Sequence, residues 1–238
     1  MILAAGRGER MGSLTSSTPK PLLKVGYKTL IEHNLYRLGN AGIKEIVINV
    51  SWLGNQIIDY LGDGRQFNFE ITYLDEGKNM LGTGGGILNA LDILGSQPFW
   101  LINADIYTDF KINSDLKLSG TMLGHLFLVK NPPHHPNGDF GLVENKVTMD
   151  RKFNPYTFSG MSLISAKLFN GLSERVFPLE PLLKSKVSEG KISGQFINDY
   201  WADIGTQDRL KKLRDRLESV SYTHLRAHET LRYLVCRL

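Results

Sequence analysis

The sequence predicts an α/β fold: a mostly parallel, Rossmann-like sheet with helices on both faces. Two observations carry this. Four short apolar, β-branched runs, Met1–Ala5, Glu45–Ser51, Phe69–Leu74 and Pro98–Ala104, alternate with amphipathic segments in the first 105 residues. Those runs are apolar nearly throughout, as strands covered on both faces are. In such sheets ligands bind beyond the carboxyl ends of the strands. Gly6–Lys20, Asp75–Gly86 and Asn103–Asp105 all lie at such ends, so they converge although they are far apart in sequence.

The first strand is short, with Met1 only a few residues before the glycine-rich loop, as expected if its first residues are missing. Thr29 and Glu32 have capping-box spacing and open a helix whose face carries Leu30, Ile31, Asn34, Leu35 and Leu38. It stops near Ala41-Gly42. A second helix through Asn55–Leu61 ends at Gly62-Asp63-Gly64. Gly82–Gly86 reads as a glycine turn opening a third helix, Ile87–Leu94. The second half is less regular. Strands are expected at Met122–Lys130, Thr157–Ile164 and Ile192–Tyr200. A hairpin is expected around Asn145, and helices at Phe177–Glu189 and Gln207–Leu217. No linker or repeat divides the chain, so residues 1–218 are expected to form one domain, with a substrate-covering β lobe in the second half.

Composition is that of an ordinary soluble protein, 42% hydrophobic and 22% charged. No apolar run reaches the ~18–20 residues a spanning helix needs, and no signal peptide is visible, so a cytoplasmic location without membrane partners is expected. A single cysteine, Cys236, excludes an internal disulfide and cysteine-based zinc sites. The net charge of +4 comes without a basic stripe interleaved with aromatics, which argues against nucleic acid as a partner. The last stretch, 219–238, reads differently from the rest. His224, His228 and Cys236 lack metal-site spacing, and the run resembles translated non-coding or adapter sequence, expected to be foreign to the fold.

Gly6-Arg7-Gly8-Glu9-Arg10-Met11-Gly12 after a strand is a place to hold phosphates. Glycines let backbone N–H groups turn inward, and Arg7, Arg10 and Lys20 add positive charge. Met11 stands where the third glycine of the dinucleotide pattern belongs, and Gly12 lacks the Lys-Ser/Thr of a P-loop. A bare tight turn with incidental basic residues is the weaker reading. Lys20 stands apart, stiffened between Pro19 and Pro21, as a compact charge for a triphosphate. Asp105 and Asp203 each end an apolar strand. Beside phosphates, one or two such carboxylates suit Mg²⁺.

The pairing of Leu3-Ala4-Ala5-Gly6-Arg7-Gly8-Glu9-Arg10-Met11 with a displaced Pro19-Lys20-Pro21 resembles the signature of the sugar-1-phosphate nucleotidylyltransferases, a family with a GT-A-like fold. The resemblance runs from Met1 to about Glu218. It implies a Mg²⁺-dependent transferase that joins an NTP to a sugar 1-phosphate and releases pyrophosphate. Arg10, Lys20 and Asp105 would then be catalytic. Gly6, Gly8, Glu9, Arg10, Lys20, Gly82 and Gly84 would hold the nucleotide, Asp105 and Asp203 the metal. Asn103, Asp139, Glu144 and Asp203 would face the substrate. Ala104 departs from the family's glycine before the metal aspartate.

Gly138-Asp139-Phe140-Gly141, after His134-His135-Pro136, is similar to the branch acting on N-acetylmuramic acid 1-phosphate in peptidoglycan recycling, which favours UTP and that sugar phosphate. Mannose-, heptose- or glucose-1-phosphate enzymes are the alternatives in the same class. A non-catalytic nucleotide-sugar-binding subunit is the alternative in another, against which the presence of Lys20, Asp105 and Asp203 counts. A monomer or small homo-oligomer is expected.

Overall fold

The computed structural model describes residues 1–219 apart from 151, 153 and 154; the tail set apart above otherwise lies outside the described residues. In chain order the first elements are β1 (Ile2–Leu3), α1 (Leu14–Ser17), β2 (Lys24–Val25), β3 (Lys28–Thr29), α2 (Leu30–Asn40), β4 (Glu45–Val50) and α3 (Gly54–Leu61). Then come β5 (Glu70–Asp75), α4 (Gly82–Leu94), β6 (Phe99–Asn103), β7 (Ile106–Thr108), β8 (Gly124–Val129), β9 (Gly141–Val143), β10 (Lys146–Thr148) and β11 (Thr157–Ile164). The last are α5 (Leu179–Ser188), β12 (Ile192–Phe196), β13 (Trp201–Asp203) and a helix α6 over 207–219.

One nine-stranded sheet takes strands from both halves of the chain, in the order β5-β4-β1-β6-β11-β8-β12-β10-β9. β5, β4, β1 and β6 are parallel to one another, and β12 is parallel to β8. Only β11 and β10 run against the rest. Alternate strand residues feed two cores. Ile46, Ile48, Trp100, Ile102, Phe127 and Val129 pack with α2 and α3; Val47, Phe99, Leu101, Leu126 and Leu128 pack with α4 and α5. The period of two along each strand makes both faces apolar, and each fully buried Ile or Leu contributes roughly 1.5–3 kcal/mol.

The capping box opens α2 as its spacing predicts: the Glu32 amide donates to Thr29 Oγ1 and the Thr29 amide to Glu32 Oε2. Two readings need correction. Gly82–Gly86 is not a turn before a helix but the first part of α4 itself. The expected strand Ile192–Tyr200 breaks after Phe196, where Asn198 and Asp199 favour a bend; the chain resumes as β13, which pairs antiparallel with β7 outside the main sheet.

Candidate active site

β1 is held on both sides at its carboxyl end. Leu3 is in register with Asn49 of β4 and Asn103 of β6, so both flanking strands carry an asparagine near their carboxyl ends beside the first loop. Gly8 turns that loop through the left-handed region (φ 68°) into a 3₁₀ turn, Glu9–Met11. A side chain there would be strained, and its Cβ would also meet Thr15 Cγ2 at 3.2 Å. Thr15 Oγ1 donates to the Gly8 carbonyl, Trp52 Nε1 to that of Thr15, and Gln207 Nε2 to that of Met11. Met11 itself is fully buried among Leu23, Val25, Leu30, Leu210 and Leu213. The loop is anchored at its back, while Gly6, Arg7, Glu9 and Arg10 stay exposed.

A cavity of about 260 Å³ opens over these strand ends, lined by Leu3–Gly6, Gly8, Lys20, Asn49, Glu76, Gly82, Thr83 and Asn103–Asp105. Lys20 is nearly buried, and its Nζ donates to Asp105 Oδ2 at 2.6 Å. A second cavity of about 200 Å³ shares Leu3, Thr83 and Asn103 with the first and extends to Asp139, Phe140, Phe158, Leu179 and Glu180. The two form one cleft, with Lys20 set among Asp105 and Glu76 at one end and an acidic, partly apolar end at Asp139. Asp139 is fixed through both oxygens: Oδ2 accepts from the Phe158 amide at 2.8 Å and Oδ1 is 2.9 Å from His135 Nε2.

The expected site residues divide accordingly. Gly6, Gly8, Lys20, Gly82, Asn103 and Asp105 line the first cavity and Asp139 the second. Glu9 and Arg10 sit on the exposed rim without lining either. Glu144 is placed elsewhere. It occupies the β9–β10 turn at the sheet edge, exposed and with φ 53°, because two antiparallel strands this close need a left-handed residue to reverse.

Gly84 also departs from expectation. Its N–H and that of Gly85 donate to the Phe177 carbonyl, and a Cβ on Gly84 would overlap the Phe177 ring. These glycines let the 175–178 segment pack on α4 rather than facing the cleft. Asn49 is a lining residue that sequence reasoning missed; Glu76 and Thr83 fall within the expected Asp75–Gly86 stretch but were not singled out. For Asn49 the signal was present: a lone amide near the end of the apolar run Glu45–Val50.

Asp203 lies beside Asp105 through the backbone. It is in register with Ile106, and the Ile204 amide donates to the Asp105 carbonyl at 2.8 Å. Arg209 Nη1 is 2.5 Å from Asp203 Oδ2. Asp203 Oδ1 is buried and 3.1 Å from His134 Nε2, yet accepts no hydrogen bond among the described residues. Asp203 lines neither cavity, but a buried carboxylate oxygen without a hydrogen bond, on a strand paired to the segment that follows Asp105, fits a hard divalent cation. No cluster of three or more ligating side chains exists among the described residues. Mg²⁺ needs none, because it keeps waters and takes substrate phosphates.

The sequence model of the nucleotidyl transferase family matches residues 1–154. The chain is also 44% identical over 219 residues to the N-acetylmuramate alpha-1-phosphate uridylyltransferase of Neisseria meningitidis serogroup B, covering 89% of this chain and 95% of that one. The chain belongs to the nucleotidyl transferase family. A further relative in Caulobacter vibrioides, with the same description, is 28% identical over 86% of this chain and 90% of its own. Among solved structures, a putative glucose-1-phosphate thymidylyltransferase from Bacillus anthracis superposes with a TM-score of 0.79 over 90% of this chain and 92% of that one. At 21% identity that likeness shows the fold, a nucleotidyltransferase-type α/β fold. Among the described residues no helix is long and apolar enough to cross a membrane.

Proposed function

We propose that this nucleotidyl transferase moves a uridylyl group from UTP to N-acetylmuramic acid 1-phosphate. A sugar-phosphate oxygen attacks the α-phosphorus, the bond to the β-phosphate breaks, and pyrophosphate leaves. The observation that carries the chemistry is the Lys20–Asp105 pair at 2.6 Å inside the cleft, where cation and carboxylate stand beside glycine backbone. The identity to the Neisseria relative over nearly the full length of both chains supports the choice of substrates.

Each residue has a task in this reading. The Gly6–Gly8 backbone approaches the triphosphate, and Lys20 neutralises charge that grows on the leaving pyrophosphate. Arg10, exposed on the rim, closes on the same phosphates. Asp105 and Asp203 would hold Mg²⁺, which supplies further charge neutralisation at the phosphates. Asn103 and Asp139 orient the sugar, with Asp139 held by His135 and the Phe158 amide. No protein nucleophile is required, since positioning two anions in line supplies much of the acceleration. The unit that carries this activity is residues 1–218, working in the cytoplasm on a precursor of cell-wall recycling.

The test is pyrophosphate release with each of UTP, GTP, dTTP and ATP against N-acetylmuramic acid 1-phosphate, with and without EDTA. UTP turnover that stops on chelation is expected. Turnover of GTP or dTTP far above UTP would overturn the substrate, and binding without release would point to a non-catalytic subunit.

A further inference from the structure

Three polar groups in the wall of the first cavity are joined in a chain. Asn49 is 3% exposed at the carboxyl end of β4. Its Oδ1 accepts from the Ala4 amide at 3.1 Å, directly before the glycine loop. Its Nδ2 donates to Glu76 Oε1 at 2.7 Å. The other carboxylate oxygen, Glu76 Oε2, accepts from the Leu81 amide at 2.8 Å, one residue before α4 begins. Glu76 makes no ion pair among the described residues; it is half-buried, and these two donors fix its carboxylate. Gly86 completes the fit: a Cβ there would stand 2.5 Å from Glu76 Oε1 and 2.8 Å from Asn49 Nδ2, so α4 can lie this close only with glycine.

From this we infer that Asn49 and Glu76 are a positioning brace that fixes the spacing between the loop after β1 and the start of α4. Those are the two walls of the cleft that carry Gly6 and Gly8 on one side and Gly82 and Thr83 on the other. Neither residue need touch the reacting phosphorus. Asn49 packs against α4 at Gly86 but makes no hydrogen bond to it, so it acts on the start of α4 through Glu76. The brace lies on the side of the cleft away from Asp139, so it serves the nucleotide rather than the sugar. The inference rests on the nucleotidyl-transfer reading for its assay, though not for its structural test.

Exchange of donor and acceptor supplies the test. In Asn49→Asp a carboxylate faces a carboxylate, and Glu76 is pushed from Leu81. In Glu76→Gln two amides compete for too few acceptors. In the double variant N49D/E76Q an amide donor faces a carboxylate again, with the partners reversed, while Ala4 and Leu81 keep their acceptors. A partly buried, charge-assisted hydrogen bond is worth enough for each single variant to raise the KM of the nucleotide roughly tenfold. The sugar-phosphate KM should stay within about twofold, a split that a general loss of stability would not produce. The double variant should recover most of the nucleotide KM.

The triphosphate used is whichever one the unsubstituted chain turns over, so an error in the choice of UTP shows in that first assay and leaves the brace to be judged. Amide hydrogen exchange reads the brace without turnover: in Asn49→Asp the Leu81 amide should exchange faster, although residue 49 does not contact it, and protection should return in N49D/E76Q. Unchanged Leu81 exchange, equal shifts in both KM values, or failure of the double variant to recover would each overturn the inference.

Discussion

Lys20 Nζ donates to Asp105 Oδ2 at 2.6 Å across 85 residues of chain, joining the Pro-flanked segment after the first loop to the end of a central strand. The pair is a salt bridge with an asymmetric setting, the lysine side chain 10% exposed and the aspartate 31%. Each partner is aimed at the same cleft, so removing one changes both the charge and the geometry there.

Lys20→Ala should abolish turnover while the protein stays folded. The freed Asp105 carboxylate remains partly solvated, so the stability change stays near 1 kcal/mol or below. Loss of a preorganised cation at a developing charge costs on the order of 10²–10³ in kcat. Lys20→Arg should recover little, since a planar guanidinium does not fit the place of a compact ammonium. Steady-state pyrophosphate release, with circular dichroism to confirm folding, checks this; near-normal turnover in Lys20→Ala would refute the assignment.

At the other end of the cleft, Asp139→Ala removes the acceptor of the Phe158 amide and the partner of His135. If Asp139 orients the sugar, the KM of the sugar phosphate rises by about tenfold or more while that of the nucleotide changes little. Equal effects on the two substrates would place Asp139 outside the sugar subsite. Glu144→Ala, at the exposed hairpin turn, should leave both constants unchanged in the same assay.

These assignments also show what could be read from residues alone. The alternation of apolar runs with helices was legible because the inner strands β4 and β6 are short, apolar and buried on both faces, and the Thr29–Glu32 box marked a helix start to the residue. The cleft residues Gly6, Lys20, Asn103 and Asp105 were legible because strand ends converge in any such sheet. Pairings that depend on tertiary packing were hidden. Nothing in Gly82–Gly86 says that the Phe177 carbonyl will take the helix-end N–H groups, and propensity alone argues for a turn. Asn49 and Glu76 sit 27 residues apart, and only the close approach of α4 at Gly86 makes them a unit.

Gly84→Ala separates packing from ligand contact. A methyl group there meets the Phe177 ring, so overpacking of about 1–3 kcal/mol should outweigh the gain of up to ~1 kcal/mol in helix propensity. The melting temperature should fall, and the double variant Gly84→Ala/Phe177→Leu should regain part of it. The nucleotide KM should change little. A large rise in that KM with no loss of stability would restore Gly84 to the nucleotide site.

The two aspartates give the sharpest metal prediction. Asp203 Oδ2 is held by Arg209, leaving Oδ1 as the oxygen without a hydrogen bond, while Asp105 shares its charge with Lys20. Asp203→Asn keeps the shape but weakens a hard-cation site, so the Mg²⁺ concentration for half-maximal turnover should rise about tenfold or more. Asp105→Asn should do the same and also release Lys20 from its partner, lowering kcat as well. Mn²⁺ binding followed by electron paramagnetic resonance gives a readout independent of turnover: both variants should leave more free Mn²⁺ than the parent chain. If Asp203→Asn binds Mn²⁺ as tightly as the parent, Asp203 serves Arg209 and His134 alone, and the metal rests on Asp105 and the substrate phosphates.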